Sequence, residues 1–200
     1  MSEQRYGGHG RFVDRLRRGQ VGEGVVSHWA RRLGFSVIPL GDLPPSAHGG
    51  PRLPAPGARE LLSPDLLLIR DGAPLFLEVK RKARFSLHQA TGDLVTGIEA
   101  RALDGYREVA RVTGVPTFLG FWHGDSHPAC FIGGEIDYLA HRVHHEHDFR
   151  NGTMLYWARD ALKDLARHPA FRPAYEDDEP PEPPEGASAL PVGPDGWEFK

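Results

Sequence analysis

Glu78 and Lys80 are separated by one residue in the run Pro74-Leu-Phe-Leu-Glu-Val-Lys80, which is otherwise apolar. Side chains alternate across a strand, so Leu75, Leu77 and Val79 point one way and Phe76, Glu78 and Lys80 the other. The flanks are apolar enough for a central strand, where two ionisable groups need an explanation. A second carboxylate, Asp65, opens the preceding run Asp65-Leu-Leu-Leu-Ile-Arg70, and Asp71-Gly72 between the runs favours a tight turn. A hairpin turning there sets Asp65 roughly opposite Glu78. Converging carboxylates suit a hard divalent cation such as Mg²⁺, which takes oxygen ligands, keeps several waters and engages phosphate. Such a cation polarises a phosphate and lowers the pKa of a bound water. Lys80 beside it would orient that water or neutralise growing negative charge, and would limit repulsion between the carboxylates. The plain alternative for Glu78 and Lys80 is an edge-strand ion pair.

The elements that must hold these groups are legible in outline. Phe12, Leu16, Val26, Ala30 and Leu33 recur at helical spacing, predicting a helix over Arg11–Leu33 with a break near Gly19. Gly34 stops it, and Phe35–Leu40 reads as a strand. Residues 41–59 are crowded with Pro and Gly and read as a long exposed loop. After the hairpin and an uncertain stretch from Arg81 to Gly97, Ile98–Val112 reads as a helix and Val115–Trp122 as a strand. Asn151-Gly152 suggests a second hairpin, leading into Met154–Trp157 and a short helix over Arg159–Arg167. Helix, strand, hairpin, helix, strand describes an α/β domain with a mixed sheet.

Pro64-Asp65, twelve intervening residues and then Glu78-Val79-Lys80 resemble the signature of the PD-(D/E)xK nuclease superfamily, which includes restriction endonucleases and Holliday junction resolvases. The resemblance covers roughly Gly10 to His123. It implies a restriction-endonuclease-like mixed central sheet flanked by helices, and metal-dependent hydrolysis of phosphodiesters. It implies Asp65, Glu78 and the Val79 carbonyl as metal ligands, Lys80 as the residue that positions water, and Mg²⁺ or Mn²⁺ as cofactor. The family's upstream helix usually carries a glutamate, and Glu23 suits that place as an acid beside the ligands or on a second metal. Glu23 lies three positions before Val26 and seven before Ala30, on the helix's apolar side. Its alternative is an exposed helix-surface residue. One departure stands out: there is no Gln-x-x-x-Tyr motif of the exonuclease branch.

Several weaker signals have bland readings that compete with a functional one. Gln89, Arg101, Tyr106 and Arg107 could touch nucleic acid, but ordinary helix-surface decoration explains them better. His141, His144, His145 and His147 could bind zinc, yet a solvated loop or strand fits better without a companion cysteine pair. Trp29, Trp122, Tyr156 and Trp157 read as core, with Trp122 and His123 left open at a strand end. Arg11, Arg15, Arg17, Arg18, Arg31 and Arg32 could hold phosphates or form a solvated face.

Composition sets the outer bounds. Two hundred residues with 40% apolar content support one domain with a real core. A single cysteine, Cys130, excludes a disulfide framework and a cysteine zinc cluster, and fits a reducing, cytoplasmic setting. The net charge of -3 is unevenly placed: two basic and eight acidic residues fall in 171–200, leaving 22 basic against 19 acidic before them. That mildly basic body permits a phosphate-backbone partner without demanding one. The expected organisation is a flexible N-terminus over 1–9, a nuclease-like α/β domain over 10–168 and a disordered acidic tail over 169–200. DNA is the expected partner, and a homodimer is open. Rival readings are a catalytically silent binding module, a structure-selective resolvase, and an interaction protein in which the motif is chance.

Overall fold

A computed structural model describes residues 7–41, 52–55, 59–124, 130–150 and 152–172, with side chains from Gln20 onward apart from Arg59. The 1–6 stretch, most of the expected loop, the tail from residue 173 and the side chains of Phe12, Leu16, Arg11, Arg15, Arg17 and Arg18 lie outside that description. No described helix is long and apolar enough to cross a membrane.

The domain is mixed α/β, as expected. Its centre is a six-stranded sheet in the order β1 (Ser36–Pro39), β4 (Leu66–Arg70), β5 (Ala73–Arg81), β8 (Thr117–His123), β9 (Cys130–Glu135), β12 (Lys163–Asp164). Every pairing in it is antiparallel except β5 with β8. The β4–β5 turn carries φ values of 52° at Asp71 and 78° at Gly72. Positive φ at both central residues is what an Asp-Gly hairpin turn accommodates. The resulting register pairs Leu66 with Leu77, which carries Asp65 alongside Glu78.

Both faces of β5 are covered. On one, helix α1 (Gly7–Arg32) packs Val26, Trp29, Ala30 and Leu33 against Leu75, Leu77, Val79 and Trp122. On the other, α2 (Ala100–Thr113) presents Leu103 and Tyr106, which join Leu119 and Phe121. A second sheet, ordered β10 (His145–Phe149), β11 (Gly152–Ala158), β7 (Leu94–Glu99), β6 (Ser86–Leu87), closes this side with Ile98, Leu155 and Trp157.

The backbone of α1 runs without the break expected at Gly19. Gly22 instead marks where the helix lies close on the sheet, since a Cβ there would stand 3.0 Å from that of Arg81. The expected loop over 41–59 contains β2 (Arg52–Ala55), paired with β3 (Arg59–Leu62). Leu53 and Ala55 pack with Leu61, Phe76 and Val109, so tertiary burial overrides the Pro-rich composition. Pro54 is tolerated because this two-stranded ribbon has edges on both sides.

Two further expectations need correction, and one stretch carried no expectation of structure. Ile98 belongs to β7, and α2 begins at Ala100, because a short apolar run does not reveal its period. β9 and helix α3 (Ile136–Ala140) were not foreseen, since Gly133-Gly134 reads locally as a turn. The stretch Arg159–Arg167 is not one helix but two 3₁₀ turns, Arg159–Ala161 and Leu165–Arg167, separated by β12. Packing also continues past residue 168. Phe171 is fully buried, and the Arg70 guanidinium donates to the Leu33, Ala170 and Phe171 carbonyls at 3.2–3.3 Å while lying over the Phe35 ring.

Candidate active site

Asp65, Glu78 and Lys80 come together where β5 approaches its C-terminal end. Asp65 Oδ2 accepts the Val79 backbone N–H at 2.8 Å, so Val79 fixes the carboxylate through its main chain while its side chain sits in the core. Lys80 Nζ meets Glu78 Oε1 in an ion pair whose acid is only 2% exposed and whose base is 36% exposed. Glu78 Oε2 is buried and has no well-formed hydrogen bond among the described residues. Such a group is costly to leave unpaired, roughly 1–3 kcal/mol or more for a charge.

The electrostatics show how crowded this corner is. Burial raises the Asp65 carboxyl well above the ordinary range, and Glu78 and then Glu23 push it further; Lys80 and the Val79 N–H oppose them. Burial works against the Lys80 ammonium, but Glu78 and then Asp65 outweigh it and hold the proton on. Glu23, half-buried on α1, is therefore close enough for Asp65 to feel, and its Oε2 faces Gly41. All four expected acids and bases share one neighbourhood.

Tyr106 corrects both of its expected roles. It is 3% exposed, neither surface decoration nor free to meet a ligand from solvent. Its phenol lies against Glu78, and burial first, then the Glu78 charge, push its ionisation far out of reach; Arg52 opposes weakly. The signal was present in the spacing Leu103, Tyr106, Val109, which marks the buried face of α2. Arg52 was hidden by the composition of its surroundings.

Gln89 is exposed in the turn between β6 and β7, not on a helix. Arg101 and Arg107 are exposed and pair with Glu99 and Asp137. The histidine run lies at and before β10, with His144 Nε2 3.3 Å from Asp93 Oδ2. No group of three or more metal-ligating side chains stands out among the described residues. Trp29, Trp122 and Trp157 are core, as read, while Tyr156 is half-buried.

His123 is the group that sequence reasoning left open. It ends β8, is fully buried, and neither ring nitrogen has a hydrogen-bond partner among the described residues. The Phe85 ring stacks on it at 4.0 Å. Burial, then the charges of Lys82 and Arg159, lower its pKa from 6.5 to about 4. Between those pH values the unfolded ring binds a proton that the folded ring refuses, so stability rises with pH across the window and is lost as pH falls through it. Urea titrations should show this acid-side loss, up to about 1.4 kcal/mol per pH unit, flattened in His123→Leu. An unchanged acid limb in that variant would mean His123 is not the group responsible.

Fold and site together define a mixed α/β domain with a carboxylate–ammonium centre at the end of a central strand. No protein-family model and no curated protein matches this chain. Among solved structures it is similar to Archaeoglobus fulgidus Hjc, a Holliday junction resolvase from an archaeal hyperthermophile, over 74% of this chain and 93% of that one. The TM-score is 0.46 at 12% identity, which carries no chemistry across.

Proposed function

We propose that this protein is a metal-dependent nuclease of the PD-(D/E)xK kind that hydrolyses DNA phosphodiester bonds. The observation that carries the reading is Glu78: a buried carboxylate held by Lys80 and the Tyr106 phenol, with Oε2 short of a well-formed hydrogen bond among the described residues, beside a second carboxylate it repels. A hard divalent cation would complete the coordination of the buried Glu78 carboxylate and relieve the repulsion, so the residues present fit Mg²⁺ or Mn²⁺. Asp65, Glu78 and the Val79 carbonyl would hold it, with the Glu23 charge felt at Asp65. When bound, it would supply Lewis-acid polarisation of phosphate and a more acidic water.

The chain's own residues do the rest. The Lys80 ammonium, kept protonated by Glu78 and Asp65, orients the attacking water or balances the charge gathering on phosphate oxygens. The Val79 N–H fixes one Asp65 oxygen, which leaves the other for a ligand. Tyr106 backs Glu78 and keeps bulk water from behind it, which strengthens the local fields.

The test is cleavage of labelled single-stranded, duplex and four-way-junction DNA with Mg²⁺ or Mn²⁺, alongside thermal melting. Wild type should cleave only with metal, and metal at a hundred times its Kd should stabilise the fold by about 2.7 kcal/mol. Asp65→Asn, which removes one ionisable acid from a crowded site, should fold and show neither effect. Binding without cleavage of any substrate would leave a silent binding module. Absence of binding and of any metal effect would make the motif chance.

A further inference from the structure

The row of side chains on the Glu78 face of β5 does not stop at Lys80. Lys82 follows two residues on, about 7 Å along the chain direction, and its backbone N–H donates to the Trp122 carbonyl at 2.9 Å. That bond continues the β5–β8 pairing and brings Lys82 level with His123. Burial and the nearby Lys80 ammonium depress the Lys82 pKa, as expected of a cation with no anion to meet. Arg159, in the first 3₁₀ turn, approaches the same corner from the other side of the chain. Its guanidinium lies 5.6 Å from the centre of the Phe85 ring, and its charge is felt by both His123 and Cys130.

Neither cation has a carboxylate partner among the described residues. The nearest acid felt at Cys130, Asp164, is engaged with Arg167 and with the Ala166 N–H. Among the described residues, two cations without a carboxylate partner therefore converge on a buried imidazole whose nitrogens make no hydrogen bond. A core histidine normally finds a hydrogen bond, and a buried polar atom without one calls for an explanation. An anion with several acceptor oxygens supplies it: it neutralises both cations and accepts the ring N–H.

We propose that Lys82, Arg159 and His123 form a phosphate-holding subsite for the nucleic-acid strand, one backbone step from the carboxylate–lysine centre. The inference rests on the nucleic-acid reading of that centre and assigns it a direction: the strand runs past Lys80 toward the end of β8. Since His123 is fully buried beneath Phe85, an oxygen reaches the ring by displacing Phe85 from its stack. These residues hold the backbone in place and carry no sequence information.

The experiment measures binding of a fluorescein-labelled thymidine oligonucleotide by anisotropy across a salt series, in EDTA so that cleavage plays no part. Wild type is compared with Lys82→Gln, Arg159→Gln and the exposed control Arg111→Gln, at the far end of α2. Each loss of a phosphate contact should lower the slope of log affinity against log salt by about 0.7 for a single strand, with the control unchanged. The His123 ring signals in ¹⁵N-edited NMR should shift when the oligonucleotide binds wild type. A wild-type slope in either variant, or an unmoved His123 signal, overturns the subsite. If metal-dependent cleavage is absent while both slopes fall, the nuclease reading fails and the subsite stands. If cleavage is present while a slope is unmoved, only the subsite fails.

Discussion

Lys80→Ala should lose cleavage by roughly 10²–10⁴-fold and also lose stability, two effects with one origin. Glu78 is 2% exposed and relies on Lys80 for one of its oxygens. Removing one member of a buried pair strands the other as an uncompensated charge, a loss of about 3–5 kcal/mol when both are fully buried. Lys80 is 36% exposed, so water partly replaces it and about 2–3 kcal/mol is the fitting expectation. The two effects separate by substitution. Lys80→Arg keeps a cation near Glu78 and should recover most of the stability. Its planar guanidinium does not reproduce a compact ammonium, so activity should stay low. Lys80→Ala with Glu78→Gln should recover stability and no activity at all. Urea midpoints together with cleavage rates decide it, and a Lys80→Ala protein as stable as wild type would show that Glu78 does not depend on the lysine.

Gly133→Ala should damage the fold more than any surface change. A Cβ at Gly133 would stand 1.9 Å from the Leu119 carbonyl oxygen and 3.0 Å from the Gly120 Cα, both on the neighbouring strand β8. Those are backbone atoms in the middle of the central sheet, and no rotamer change relieves them. Overpacking in a core usually destabilises by 1–3 kcal/mol; a clash with main chain belongs at or beyond about 3 kcal/mol. For a domain of this size that is a drop of roughly 6–12 °C in Tm. The control is Gly24→Ala, on α1 with nothing within 4 Å of the new methyl. It should stabilise by about 0.5–1 kcal/mol through helix propensity alone. Equal melting of the two variants would mean that β8 and β9 separate far more easily than their pairing suggests.

The centre was legible because its parts are local. Asp65, the Asp71-Gly72 turn and Glu78 lie within one hairpin, and hairpin register follows from turn type. Alternation then assigned Leu75, Leu77 and Val79 to the core and left Glu78 and Lys80 on the opposite face. What escaped depends on distant partners. Val95 to Ile98 became strand because β11 lies beside them, and β9 pairs with β8 where Gly133, without a Cβ, fits against the Leu119 carbonyl. Tyr106 was noticed, but its place behind Glu78 depends on how α2 crosses the sheet. Lys82, His123 and Arg159 lie on three separate segments, and nothing in their spacing announces that they meet.

Phe171 bears on the order in which this chain takes shape during synthesis. It is fully buried against Trp29, Phe35 and Phe118, so it fills the core between α1 and the sheet from a position late in the chain. The hairpin that carries the acids can close as soon as it leaves the ribosome. The hairpin can cover much of the first helix, but the part of the core around Trp29, Phe35 and Phe118 stays incomplete until the Leu165–Phe171 segment arrives. A nascent chain halted before that point therefore exposes Trp29 and Phe35 together, a surface for a chaperone to cover and a hazard where none is at hand.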